Sequence, residues 1–184
     1  NADKMLDYSR ETVLLETGNN TASWLGAIIG GLSFEGIDKL TFFMTPSIEH
    51  FGTWIEQLIA ESTGKLGKGI IPVEGTKPQD PESYSNDRLF IYMKVKAEND
   101  YDEAINLLEE IGHPVVRITL DTIYDLGSEI FRWELATIIA GHILKINPFD
   151  QPDVESAKVR AREMVAEFKE KGKIMRRFYW SFND

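Results

Sequence analysis

Apolar residues at Trp24, Leu25, Ile28, Ile29 and Leu32 recur at helical spacing and predict a helix over Thr21–Phe34. Gly26, Gly30 and Gly31 lower its intrinsic propensity, which points to close packing against a neighbouring element. Lys39–Met44 (KLTFFM) is rich in β-formers and predicts a strand. Thr45-Pro46-Ser47 follows it, with residue types that cap and open a helix. Phe51, Trp54, Ile55, Leu58 and Ile59 mark the apolar face of an amphipathic helix over 48–62, stopped at Gly64. Ile70–Val73 reads as a short strand, and the Pro-, Asp- and Ser-rich stretch 74–87 as a loop. Leu89–Val95 and Pro114–Leu120 read as further strands. Between them lies a helix over 101–111, with Ala104, Leu107, Leu108 and Ile111 expected to face inward. A long helix over Leu126–Lys145 ends before Asn147-Pro148. Gln151-Pro152-Asp153 opens a last helix that runs to about Lys171, with Gly172 just past its end. The tail from Lys173 to Asp184 is aromatic and basic and is expected to be extended.

Strands alternate with helices. That order predicts an α/β fold: a three-layer α/β/α sandwich of flavodoxin-like type, with a mostly parallel sheet and right-handed crossovers. Ligands in such folds are expected beyond the carboxyl ends of the strands. The organisation expected is a connecting segment over 1–18, one domain over 19–172 and a tail over 173–184. The start at Asn1-Ala2, with no initiating Met, is read as the mark of an excised piece.

Composition narrows the function classes. With 184 residues and 42% hydrophobic content, the chain can bury a proper core, so disorder of the whole is not expected. A net charge of −10 opposes phosphate backbones and anionic membrane surfaces, so nucleic acid and membrane are poor partners. There is no cysteine, which excludes disulfides and thiolate metal sites. His50, His113 and His142 have no metal-ligand spacing, so no metal is expected. No apolar run is long enough for a membrane span and no signal peptide is evident, which places the protein in the cytoplasm.

Two helices carry polar residues with chemical potential. Gln57 and Glu61 share one helix face. Glu61 falls in the last turn, where the helix dipole disfavours a carboxylate, so partial burial there would make it a base of raised pKa. A solvated Glu61 paired with Lys65 is the plainer alternative. In the last helix Lys158 falls within the stripe Val154, Ala157, Ala161, Val165 and Phe168. Gln151 lies at that helix's start, where free N–H groups favour an anion. The pair could serve one anionic ligand, or Lys158 could lay its stem over apolar surface with its head in water.

Two segments carry a resemblance. Phe149-Asp150-Gln151-Pro152-Asp153-Val154-Glu155-Ser156-Ala157-Lys158 resembles the C-terminal signature F-D-Q-x-G-V-E-x-x-K of the phosphoglucose isomerases. Glu61-Ser62-Thr63-Gly64-Lys65 resembles the same family's E-S-x-G-K segment. Their order and separation also fit, and the likeness runs from about Asn19 to Lys171. It is nearest to the isomerase part of transaldolase/phosphoglucose isomerase fusions, on Asp38-Lys39-Leu40-Thr41, Asp87-Arg88-Leu89-Phe90 and Phe131-Arg132-Trp133-Glu134.

The resemblance implies a sugar-isomerase (SIS) domain that interconverts glucose 6-phosphate and fructose 6-phosphate through an enediolate. Glu61 matches the base, Lys158 the active-site lysine, and Gln57 and Gln151 the amides that contact substrate. No cofactor is implied, because fixed positive groups can stabilise the enediolate oxygen. Family members are commonly dimers, so a homodimer is the expectation. Three departures stand out. Asp153 occupies a glycine position of the signature. The stretch from about Gln79 to Phe90 lacks the histidine that many members use for ring opening, leaving Tyr84, Asp87 and Arg88 as open alternatives. The Ser/Thr-rich phosphate loop and the arginine of the family's first SIS domain have no counterpart, although Thr45 and Ser47 follow a strand and could hold an anion. The chain therefore reads as the C-terminal half of such an isomerase, incomplete without its N-terminal SIS domain. A sugar-phosphate-binding SIS module without catalysis, or a dimerisation half without a ligand, are the rival readings.

Overall fold

The computed structural model describes residues 2–13, 18 and 20–173. The chain divides into two compact units, 1–150 and 151–184, and each is described by itself.

In the first unit four parallel strands form one sheet: β1 (Lys39–Met44), β2 (Ile71–Val73), β3 (Arg88–Val95) and β4 (Val115–Leu120), in the order β2-β1-β3-β4. Lys39 of β1 lies opposite Ile71 on one side and Arg88 on the other. The central strands β1 and β3 are buried on both faces, which is why they read as near-continuous apolar runs. One face carries α2 (Thr21–Phe34), α3 (Phe51–Thr63) and α5 (Leu126–Leu144) over a core that includes Leu40, Phe42, Ile55, Ile59, Ile91 and Trp133. The opposite face carries α4 (Asp102–Glu110) over Phe43, Phe90 and Tyr92. The layered α/β/α expectation holds, with a single helix and the 74–87 connection making up the second outer layer. A further helix, α1 (Ala2–Val13), forms in the expected connecting segment and packs on α5.

Most predicted elements form within a residue or two of their expected bounds. Asn20 accounts for the start of α2, since its Oδ1 accepts the Ser23 N–H at 2.8 Å. Gly26 and Gly30 let α2 lie directly on α5: an added Cβ would meet Ala136 O at 2.5 Å and Ala140 Cα at 2.9 Å, respectively. Gly31 faces open space, so the packing reading holds for two of the three glycines. The inward face of α4 is corrected. Ile105 and Leu108 are buried, whereas Leu107 and Ile111 are exposed. In a short helix with mixed apolar positions, the side that meets Phe90 and Tyr92 decides which of them turn inward.

The second unit is the helix α6 (Pro152–Lys171), ended by Gly172 in the left-handed region (φ 66°) with its N–H donated to Phe168 O. Val154, Val165 and Phe168 are exposed along it. The expected extended tail falls, from 174 onward, outside the described residues. Among the described residues, no helix is long and apolar enough to cross a membrane, and no cluster of His, Asp and Glu is placed to hold a metal.

Candidate functional site

Glu61 lies in the last turn of α3. The crossover from β1 through α3 to the parallel β2 returns the chain to the end of the sheet where the strands begin. Thr63 fixes that return: its hydroxyl donates to Ile59 O at 2.8 Å and accepts the Ile70 N–H at 3.0 Å. Glu61 therefore sits at the amino ends of the strands. The expectation of a site at the carboxyl ends does not apply to Glu61. Gln57, one turn earlier, donates from Nε2 to Glu61 Oε1 at 3.0 Å. Both side chains are exposed in this unit.

Lys65 departs most from the sequence reading. Its place after Glu61 suggests a surface ion pair, but its side chain is only 3% exposed. Its Nζ donates to Asn147 O at 2.7 Å, to Asp150 O, and to Asp150 Oδ1 at 3.1 Å. Lys68, across the turn, donates from Nζ to Leu144 O at 2.8 Å and so satisfies a terminal carbonyl of α5. The α5 end that receives it is set by Lys145 in the left-handed region (φ 57°), followed by buried Ile146, whose N–H reaches Gly141 O. Two segments more than eighty residues apart in sequence are thus clamped together, the turn after Glu61 and the loop that leads into Gln151. The buried ammonium has three acceptors, which tie the turn to this loop.

Beside the clamp an open groove of about 660 Å³ is lined by Ala60, Gly64, Lys68, Ile71 and Leu144 among others. Glu61 and Gln57 do not line it, and the polar pair rather than the groove marks the candidate site.

In the second unit Gln151 occupies the N-cap position of α6 without capping it through its side chain, while its carbonyl accepts the Glu155 N–H at 3.1 Å. Lys158 is half-exposed and donates from Nζ to Glu155 Oε1 at 2.9 Å. The apolar stripe does not bury it, because a lone helix has no core of its own.

A glucose-6-phosphate isomerase of Leptospira biflexa is 27% identical over 200 residues, covering 85% of this chain and 44% of that protein. A probable glucose-6-phosphate isomerase of Methanococcus maripaludis is 32% identical over 177 residues, covering 77% of this chain and 40% of that protein. The chain is a distant relative of the glucose-6-phosphate isomerases. No protein-family model matches it. It spans less than half the length of these isomerase relatives, 34% in that of Clostridium tetani. The crystal structure of a hypothetical protein from Thermus thermophilus superposes with a TM-score of 0.70, covering 90% of this chain and 51% of that one at 21% identity, which establishes the shared fold.

Against that relationship, the open alternatives for ring opening are all engaged elsewhere. Asp87 pairs with Lys39 at 2.7 Å, and that hydrogen bond, with one from Ser85, holds its carboxyl below the usual range. Arg88 donates to Thr41 Oγ1 at 3.0 Å and lies over the Tyr84 ring, on the α4 face of the sheet. The Tyr84 hydroxyl accepts the Gln79 N–H at 2.9 Å. His113 is buried against Phe90 and Tyr84, with Nε2 3.3 Å from Pro81 O, as a structural histidine would be. His142 and His50 are exposed.

At the carboxyl ends of β1 and β3, where the fold would hold an anion, the chain supplies its own. Glu98 lies against Thr45 and Ser47, whose polar groups hold its carboxyl below the usual range, while Thr45 Oγ1 accepts the Val95 N–H at 3.2 Å. Thr45 makes no side-chain capping bond, so neither the capping nor the anion role expected of it applies. Sequence reasoning passed over Asp150 and Glu155 and read Lys65 only as a surface partner of Glu61, although all three stand inside the two motifs. The available signal was their presence at fixed motif positions with no chemical role assigned.

Proposed function

We propose that this chain is the C-terminal SIS half of a glucose-6-phosphate isomerase, in which Glu61 moves the proton between adjacent sugar carbons by way of an enediolate. The observation that carries the reading is the Lys65 clamp. It joins the E-S-T-G-K turn to Asn147 and Asp150, so the first motif and the opening residues of the second, Phe149 and Asp150, are tied within one unit. Gln57, held on Glu61 at 3.0 Å, orients the carboxylate and contacts substrate. Lys158 and Gln151 supply positive charge and an amide toward the sugar phosphate. The exposed Glu61 becomes a tuned base only when another surface dries it, and the N-terminal SIS domain of the same polypeptide is the surface proposed here. That domain also supplies the phosphate loop and arginine, and the assembled protein is a homodimer. The likeness to transaldolase fusions concerns what lies upstream in the reading frame, and the full-length gene tests it directly.

A coupled assay with fructose 6-phosphate, reading formation of glucose 6-phosphate, tests the proposal on the full-length protein and on this chain. The full-length protein is expected to turn over and Glu61→Gln to lose about 10³-fold in kcat, in line with loss of a general base. The chain by itself is expected to show no turnover. Robust turnover by the isolated chain overturns the half-site reading. A full-length protein that binds fructose 6-phosphate without converting it points instead to the sugar-phosphate-binding SIS module.

A further inference from the structure

We infer that Lys65 is a positioning residue, which sets the place of Glu61 by fastening the turn after it to the loop that leads into Gln151. This rests on the role proposed for Glu61. Lys65 does not act on substrate, because its amino group is buried and spent on Asn147 and Asp150. The Thr63 hydroxyl, which accepts the Ile70 N–H at 3.0 Å, holds the base of the turn, and its tip has little besides the lysines to hold it. Residues 64–69 contain Gly64, Gly67 and Gly69, and Leu66 and Gly67 are both in the left-handed region, at φ 56° and 70°. The one large apolar side chain there, Leu66, is 80% exposed. Two backbone hydrogen bonds between Lys65 and Lys68, of 3.1 and 2.9 Å, close the turn on itself but do not anchor it. The anchors are the two lysine side chains, Lys68 to the end of α5 and Lys65 to the loop beyond it. Glu61 stands one helical turn before Lys65, at the end of α3 where a helix frays most readily. A loosened turn shifts the carboxylate and frees the 147–150 loop. Misplacing a catalytic group by about 1 Å can cost on the order of 10²-fold in rate.

The test uses the full-length protein with Lys65→Met, Lys65→Arg and, as a control for simple loss of stability, Leu108→Ala, which empties core on the far face of the sheet. Lys65→Met is expected to lower kcat about 10–100-fold, beyond anything Leu108→Ala does at a matched drop in Tm. Lys65→Arg is expected to recover part of that loss. Hydrogen exchange is expected to speed up in both 62–70 and 147–150 for Lys65→Met and in neither for Leu108→Ala. A Lys65→Met protein with unchanged kcat, or one whose loss only tracks Tm as in Leu108→Ala, overturns the positioning role. If the wild-type full-length protein has no isomerase activity, the functional reading fails, and hydrogen exchange still decides the clamp: unchanged exchange at 147–150 in Lys65→Met overturns it.

Discussion

The glycines of α2 allow one chemical change to be made twice on one helix with opposite expected outcomes. At Gly26 a Cβ would stand 2.5 Å from Ala136 O, 2.8 Å from Ile139 Cβ and 3.0 Å from Ala136 Cα. Two of those neighbours are backbone of α5 and cannot swing away as a side chain could. Gly26→Ala must therefore push α2 off α5 by about 1 Å to reach ordinary carbon contact near 3.5 Å, which weakens dispersion along the whole helix pair. Overpacking of this kind costs about 1–3 kcal/mol, against a helix-propensity gain of about 0.5–1 kcal/mol, so a net loss of up to about 2.5 kcal/mol is expected. At Gly31 nothing lies within 4 Å of the added methyl, and the residue has ordinary helical φ. Gly31→Ala is expected to stabilise by about 0.5–1 kcal/mol through the same propensity term. Urea unfolding of the wild type and the two variants reads both shifts. Two variants that move in the same direction would refute the argument that backbone approach, and not composition, dictates Gly26.

Glu129 gives a pH dependence. It is 3% exposed in the first turn of α5, and burial pushes its carboxyl up to about 7 against the partial relief of Arg132 at 3.3 Å. The folded state then holds a proton that the unfolded chain releases near 4.5, so this contribution to stability is complete below about pH 4.5 and is lost as pH rises through 7. Its full size is about 3 kcal/mol, and Glu129→Gln is expected to flatten that part of a stability–pH curve measured by urea unfolding. An unchanged slope in the variant assigns it to other groups. On α4, Ile105→Ala is expected to cost about 2–4 kcal/mol and the neighbouring Leu107→Ala less than about 1 kcal/mol, since Ile105 is fully buried and Leu107 is 43% exposed. Equal losses in thermal unfolding would show that the inward face of α4 has been misassigned.

The fold class was legible in the chain because each element carries its own signal. Lys39–Met44 and Arg88–Val95 are apolar runs that only a sheet covered on both faces can bury, and α2, α3 and α5 have helical apolar spacing with Gly, Asn or Pro at their ends. Local periodicity also set the bounds of those elements within a residue or two, except at the start of α3, expected at 48 and found at Phe51. That Gln57 and Glu61 lie side by side was likewise legible, because spacing along a helix fixes which residues share a face. What periodicity could not fix was anything that depends on a partner distant in the chain. Lys65 reads as a solvated charge beside a glycine turn, and only the return of α5 to the amino ends of the strands brings the acceptors at Asn147 and Asp150 that bury it. The side of α4 that faces inward was decided by Phe90 and Tyr92 beneath it, and the clearance at Gly26, unlike that at Gly31, by the backbone of α5. Thr45 and Ser47 looked free to cap a helix or bind an anion until the β3–α4 loop placed Glu98 against them. Sequence determined the elements because backbone and solvent act locally, and the tertiary structure alone decided the pairings because a buried charge or a missing Cβ is satisfied by whatever the fold carries to it.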